Sequence, residues 1–347
     1  MNTNTTIPCK PSQPKQPSKP DYSKIYTSTT FRKPKLLGNC NDGTYVEIYI
    51  PDKPNYGDNG TLKAVIYLHG FALGASEIYR SHIEHLVKQG YYVIYPNYQH
   101  GFCKFPPCRF ETILELAEEA LRPFPISPQK WINSAIYSAM NAYEQENLDK
   151  LKVDTYLFGH SLGGLFALSW NYYARDKVPV NMLPKQIVVA DPVPDSESNI
   201  PKRISQIIKK LGGFKDKIDI QTTGDLLKVP VAILHGNEDT IIDKGDWKKL
   251  FQYIASNQKA MYLSFTDDHG CPAIYANHEQ ATVDTSFLPK YLTERYLNGS
   301  GKEDNLNWRF IWDALDQVIR GTRADQLQFD MGSWSDDIPI KPILRFL

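Results

Sequence analysis

An excess of one charge is missing from this chain. Its 347 residues hold 39 Lys+Arg against 39 Asp+Glu, a formal net charge of zero, so neither nucleic acid nor an acidic membrane surface is expected as its main partner. Long apolar runs are missing too. No window approaches the ~18 consecutive apolar residues of a membrane helix, so no integral membrane segment is expected. The opening residues, MNTNTTIPCKPSQPKQPSKP, contain no basic-then-apolar run and do not read as a secretory leader. Cysteine is scarce. An odd set of five (Cys9, Cys40, Cys103, Cys108 and Cys271) reads as reduced thiols rather than a disulfide framework. Cys103 and Cys108 are close enough in sequence to bridge, and composition leaves that open. Together these absences point to the cytoplasm, with secretion as the alternative if the N-terminus is a processed one. No Cys/His cluster has zinc spacing and no glycine-rich phosphate loop occurs, so no metal or organic cofactor is expected.

What the chain does hold is core material, 41% hydrophobic residues, with an ordinary 22% charged. Residues 1–24, rich in Pro, Lys, Ser and Gln, read as a disordered arm. From residue 25 to 347 a single domain is expected, because strand and helix patterns alternate throughout. Continuous apolar, β-rich runs occur at 62–70, 91–96, 155–159, 185–191, 229–236 and 259–265, with an alternating one at 44–50. Helical patterns lie at 76–89, 111–121, 128–147, 162–175, 201–211, 244–257 and 306–320. Such alternation predicts a mostly parallel sheet covered on both faces. Ser127 should cap the helix that begins at Pro128, and Asp243 the one near Lys244. In such sheets chemistry collects beyond the C-terminal ends of the strands. Polar residues at those ends are few: His69, Ser161, Asp191, Asp239, Asp267, Asp268 and His269.

Among them Ser161 stands in YLFGHSLGGLFALSW, residues 156–170, where a strand pattern becomes a helix pattern within two residues. A turn that sharp pushes its central side chain outward. It also brings the residues two before and two after it together, where only Gly159 and Gly163 would fit. The hydroxyl then sits at a helix N-terminus, whose free N–H groups favour developing negative charge.

The chain resembles the α/β-hydrolase family over roughly residues 35–320. The likeness rests on YLHGF at 67–71, GHSLGG at 159–164, HGNEDTIID at 235–243 and DDHGCPA at 267–273. It implies an α/β-hydrolase fold with a central sheet of about eight strands, and a serine esterase or lipase chemistry. Ser161 would be the nucleophile, and a histidine must take its proton. The resemblance assigns that role to His269, with His278, further along the same segment, as the second candidate. Asp239 is the expected acid and Asp191 its rival, because some members take the acid from the preceding strand. The backbone N–H groups of Leu162 and Phe71 would form the oxyanion hole. His160, inside the serine turn, cannot easily reach the neighbouring Oγ; His69 and His235 are expected to hold loops, and His82, His85 and His100 to be surface or structural residues.

Two segments should shape the substrate pocket: residues 97–110, and an insertion at 192–228 with one amphipathic helix, a small cover at most. DDHGCPA and GHSxGG look similar to cutinase-like polyester hydrolases, chlorophyllases and platelet-activating-factor acetylhydrolases, although the paired C-terminal cysteines of several secreted polyester hydrolases are lacking. The expected substrate is a small-molecule or lipid-like carboxylic ester, split through an acyl-enzyme. A peptidase or thioesterase on the same residues, or a non-catalytic binding protein on this scaffold, are the alternatives.

Overall fold

A strand whose side chains are apolar on both faces must be covered on both. The segment Leu62–Leu68 is of that kind, with Ala64 through Leu68 fully buried. In the computed structural model, which describes residues 9–57, 59–100, 121, 126–197, 202–286 and 301–347, this segment lies inside a nine-stranded sheet. The strands are Lys35–Leu37 (β1), Tyr45–Tyr49 (β2), Leu62–Leu68 (β3), Tyr92–Asn97 (β4), Val153–His160 (β5), Pro184–Ala190 (β6), Val231–Gly236 (β7), Lys259–Ser264 (β8) and Leu344–Arg345 (β9). Their spatial order is β1-β2-β4-β3-β5-β6-β7-β8-β9. From β4 to β8 neighbours run parallel, while β1, β2 and β9 add antiparallel margins.

The helices are Arg80–Lys88 (α1), Pro128–Gln145 (α2), Leu162–Ala174 (α3), Lys202–Lys210 (α4), Ile220–Thr223 (α5), Lys244–Leu250 (α6) and Trp312–Ile319 (α7). Successive strand residues point to opposite faces, and two cores result. Ile66, Leu68 and Leu157 pack with Trp131 of α2 and Phe166 of α3. Val65, Tyr67 and Phe158 pack with Ile83 of α1 and Trp312 of α7. The caps fall where the side chains direct them: Ser127 Oγ accepts from Lys130 N at 3.2 Å, and Asp243 Oδ1 from Gly245 N at 2.7 Å. No helix among the described residues is long and apolar enough to cross a membrane. The expected helix at 111–121, the cysteines Cys103 and Cys108, and most of the 97–110 loop lie outside the described residues.

Two expectations need correction. From residue 9 on, the arm is not disordered but laid out along the body. Lys15 and Ser335 exchange hydrogen bonds, Gln16 Nε2 donates to Pro272 O at 3.0 Å, and Tyr22 OH donates to Trp308 O at 3.0 Å. Lys19 pairs with Glu303 at 2.7 Å and lies 4.4 Å over the Trp312 ring. Composition registers too little apolar surface for a core, but not the partners that distant segments supply. Secondly, the cysteines are not all reduced: Cys9 is bonded to Cys271, and Cys40 is disulfide-bonded as well. His82 and His85, expected to be surface or structural residues, are structural and buried. His82 stacks on Trp312, and His85 Nε2 lies 2.9 Å from Asp316. The C-terminal tail folds onto its own body through β9, with Trp334 buried and Phe346 against the core.

Candidate active site

Strand β5 ends at His160, α3 begins at Leu162, and Ser161 alone makes the turn at φ 53° and ψ −117°. That left-handed φ is costly for a residue with a side chain. It is held by Ser161 N donating to Ala190 O at 3.0 Å and by Val193 N donating to Ser161 O at 3.2 Å. The flanking glycines are sterically required. A Cβ on Gly159 would lie 2.3 Å from Gly163 O, and one on Gly163 would lie 2.3 Å from Leu68 O. The second contact also presses the end of β3 against the start of α3. The turn that carries Phe71 therefore adjoins the one that carries Leu162. Phe71 is half-buried there, 6.3 Å from the Trp131 ring.

The histidine brought to Ser161 is His278, not His269. His278 Nε2 lies 2.9 Å from Ser161 Oγ, and His278 Nδ1 lies 2.8 Å from Asp239 Oδ2. With the Asp239 carboxylate accepting from Nδ1–H, Nε2 is left to accept the serine proton. Asp239 follows β7, and its Oδ1 accepts from Ile241 N at 2.7 Å and Ile242 N at 2.9 Å, which fixes the carboxylate from behind. Burial, the largest single influence, pulls the His278 imidazole down, but the charge and hydrogen bond of Asp239, with Glu279 and Asp191 behind them, together outweigh it and hold the imidazole above the usual histidine range. Conversely, burial pushes Asp239 up, and His278, His235 and the Ile242 amide more than reverse that.

His269 points elsewhere. Its Nε2 lies 2.8 Å from Asp336 Oδ2 on an exposed face, with the Trp334 ring 6.0 Å away. After β8 the chain makes a closed excursion, in which Asp267 and Ile274 form an antiparallel bridge. Gly270 at its tip is wedged against Trp334 and Pro14 O, and Asp267 accepts from the amides of His269 and Lys341. Only when the chain returns does it run past β7, where Glu238 N donates to Ala276 O at 2.9 Å, and this carries His278 over the strand ends. The sequence signal for the excursion is its turn chemistry, Gly270 and Pro272 around a bonded cysteine.

Asp191, the rival acid, follows β6 but makes its hydrogen bonds to groups other than the imidazole. Its Oδ1 accepts from Gly236 N at 2.8 Å, its Oδ2 accepts from Gln280 Nε2 at 2.9 Å, and His235 Nδ1 is 3.5 Å off. Burial, with the Asp239 charge nearby, raises its carboxyl far above the usual range. His69 does hold a loop, donating from Nδ1 to Gly70 O at 2.7 Å. Beside His278, Glu279 is buried without a hydrogen bond to its carboxyl oxygens, and burial pushes it up to about 7.

Among the described residues, two groups hold donor atoms within 4.8 Å of one another: His160, His278 and Glu279, and Asp191, His235 and Asp239. His278, Asp239 and Asp191 already serve the hydrogen bonds just given. The insertion after β6 contributes α4 and α5, and Trp247 Nε1 ties its first residue by donating to Pro192 O at 2.9 Å.

No protein-family model matches the chain, and no curated protein does. Among solved structures it is similar to an esterase B from Lactobacillus rhamnosis, with TM-score 0.47 and 17% identity over 68% of this chain and 74% of that one. A monoglyceride lipase from Saccharomyces cerevisiae gives 0.45 and 14% over 75% and 92%. A monoacylglycerol lipase from Paleococcus ferrophilus gives 0.41 and 20% over 71% and 91%. The strand order, the serine turn between β5 and α3, and the succession Ser161, Asp239, His278 along the chain agree on one architecture: this chain has the α/β-hydrolase fold.

Proposed function

We propose that the chain is a serine hydrolase that splits carboxylic esters. The observation that carries this is the hydrogen-bonded line from Ser161 Oγ through His278 to Asp239, begun by a serine held in a left-handed conformation. A serine hydroxyl attacks a carbonyl only if a base takes its proton in the same step. His278 Nε2 is that base. Asp239 fixes its tautomer and stabilises the imidazolium that forms. The ester carbonyl carbon bonds to Ser161 Oγ, and the oxyanion is met by the N–H groups of Leu162 and Phe71. The imidazolium then protonates the departing alcohol, leaving an acyl-serine. Water, deprotonated by the same imidazole, attacks the acyl carbon, and the carboxylic acid leaves as Ser161 regains its proton.

The substrate is read as a small-molecule or lipid-like ester, and the bonded cysteines Cys9, Cys271 and Cys40 favour an oxidising compartment over the cytoplasm. Hydrolysis of p-nitrophenyl esters from acetate to palmitate, with wild type beside Ser161→Ala, tests the chemistry. Turnover should fall by about a thousandfold or more in the variant, and the preferred chain length would size the acyl pocket. Turnover unchanged by Ser161→Ala sinks the proposal.

A further inference from the structure

The residue between Gly159 and Ser161 is a histidine that the mechanism above does not use. His160 is fully buried, and each of its ring nitrogens has a partner. Nε2 lies 2.8 Å from the backbone carbonyl of His278, and Nδ1 lies 2.8 Å from Tyr79 OH. A carbonyl can only accept, so the single proton of a neutral ring must sit on Nε2. Nδ1 then accepts from the Tyr79 hydroxyl, whose oxygen in turn accepts from Gly70 N at 3.0 Å. Every donor and acceptor in this chain is thereby assigned, with one direction throughout. Burial holds His160 neutral, down at about 3, which keeps the pattern intact across the working range of an esterase. The line runs between three loops that the proposed chemistry must keep in register: the β3 turn at Gly70, the serine turn itself, and the loop bearing His278.

We infer that His160, backed by Tyr79, is a positioning residue that sets the height of the His278 loop above Ser161. This rests on reading Ser161, His278 and Asp239 as the reacting set. Nothing in a Gly-x-Ser-x-Gly turn requires histidine at that middle place, because the steric demand falls on the glycines. A His160 whose only role was to fill space would need no oriented partner at each nitrogen. Held from its backbone by His160 and from its side chain by Asp239, the imidazole is fixed at two points. Loss of one point lets the loop shift, and displacement of about 1 Å at a reacting group can cost 100-fold.

Histidine side-chain 15N spectra of the full chain between pH 5 and 9, for wild type, His160→Phe, His160→Gln and Tyr79→Phe, test this without needing turnover. Facing His278 are Asp239 and His235 at β7, Asp191 after β6, Glu279 beside it and His160 on the serine turn, so only the last is altered in the His160 variants. In wild type His160 should stay neutral with its proton on Nε2. His160→Phe should move the midpoint of His278 by half a unit or more. Alongside, kcat per Ser161 titrated with a fluorophosphonate should fall by about 10- to 100-fold with KM within threefold. Tyr79→Phe should do the same more weakly. His160→Gln, which keeps an N–H donor, should recover part of the loss. A His160 that titrates within this range, or a His278 whose spectrum and kcat are unmoved by His160→Phe, overturns the inference. Expected spectra in a chain that neither cleaves esters nor takes up fluorophosphonate would instead sink the esterase reading and leave the positioning contact standing.

Discussion

Two histidine–aspartate pairs in this molecule have the same hydrogen-bond length and opposite surroundings. His278 and Asp239 are 2.8 Å apart with side-chain exposures of 4% and 0%, while His269 and Asp336 are 2.8 Å apart at 39% and 41%. In the outer pair water screens the attraction, and such a contact does little beyond tethering two loops. In the inner pair no water competes, so the carboxylate acts on the imidazole at full strength and raises it above the ordinary range. Distance alone therefore does not identify a functional pair. What separates the two is desolvation, together with a third group, Ser161 Oγ, on the far nitrogen of one imidazole only.

Substituting each histidine separates the pairs most widely. His278→Ala removes the proposed base and should lower kcat by about a thousandfold or more. His269→Ala, at the exposed site, should leave kcat within twofold. Ester hydrolysis by the two purified variants decides it, and the reverse ranking would return the base to the outer turn.

The carboxylates come next. Asp239→Asn keeps the shape but loses the charge and the acceptor that fixes the tautomer, with an expected cost of about 1,000- to 10,000-fold. The pH profile carries a signed consequence. His278 must be neutral to accept the serine proton, so kcat rises with pH through its titration. Asp239 raises that titration, which puts the acid limb above the ordinary histidine value of about 6.5. In residual Asp239→Asn activity the limb should therefore move to lower pH. Asp336→Asn should leave both the rate and the limb in place, and a limb that moves in Asp336→Asn but not in Asp239→Asn would invert the comparison.

How much of this was legible follows from what each residue depends on. Ser161 between two glycines, and Asp239 after a β-rich run, stand in places that a few neighbouring residues determine. The same is true of the caps at Ser127 and Asp243. The choice between the two histidines depends on something non-local, the folded-back excursion from Asp267 to Ile274. That turn is pinned by Trp334 and Pro14, which come from opposite ends of the chain. Spacing in sequence cannot register those partners. For the same reason the cysteine count misleads, because Cys9 and Cys271 are 262 residues apart and become neighbours only when the arm lies along the body.

That disulfide offers a further way to part the pairs, since Cys271 sits two residues from His269, inside the excursion, while His278 lies beyond it. Replacing both cysteines with serine should destabilise the fold by about 2–4 kcal/mol by releasing a long closed loop in the unfolded chain. Denaturant unfolding measures the loss. The kcat of the folded protein at 25 °C should stay within threefold. A collapse of kcat in protein that is still folded would show that the outer turn governs the inner site.

A modest effect should come from Asp191→Asn, and its size is informative because Asp191 is the rival acid. Its Oδ1 accepts from Gly236 N and its Oδ2 from Gln280 Nε2, and neither oxygen is bonded to His278. Burial and the Asp239 charge favour the protonated carboxyl, for which asparagine is nearly isosteric and equally neutral. The amide oxygen can keep the Gly236 bond. Its new N–H₂ meets Gln280, whose own amide can turn over at the expense of the 2.6 Å bond that Oε1 accepts from Ser264. One exchanged hydrogen bond among buried neutral groups is worth about 1 kcal/mol, so kcat should change by less than about tenfold while Asp239→Asn loses a thousandfold. Equal losses in the two variants would mean that the buried aspartates act as one unit, with the proton between them shared, and the inner pair would have to be redrawn as a trio.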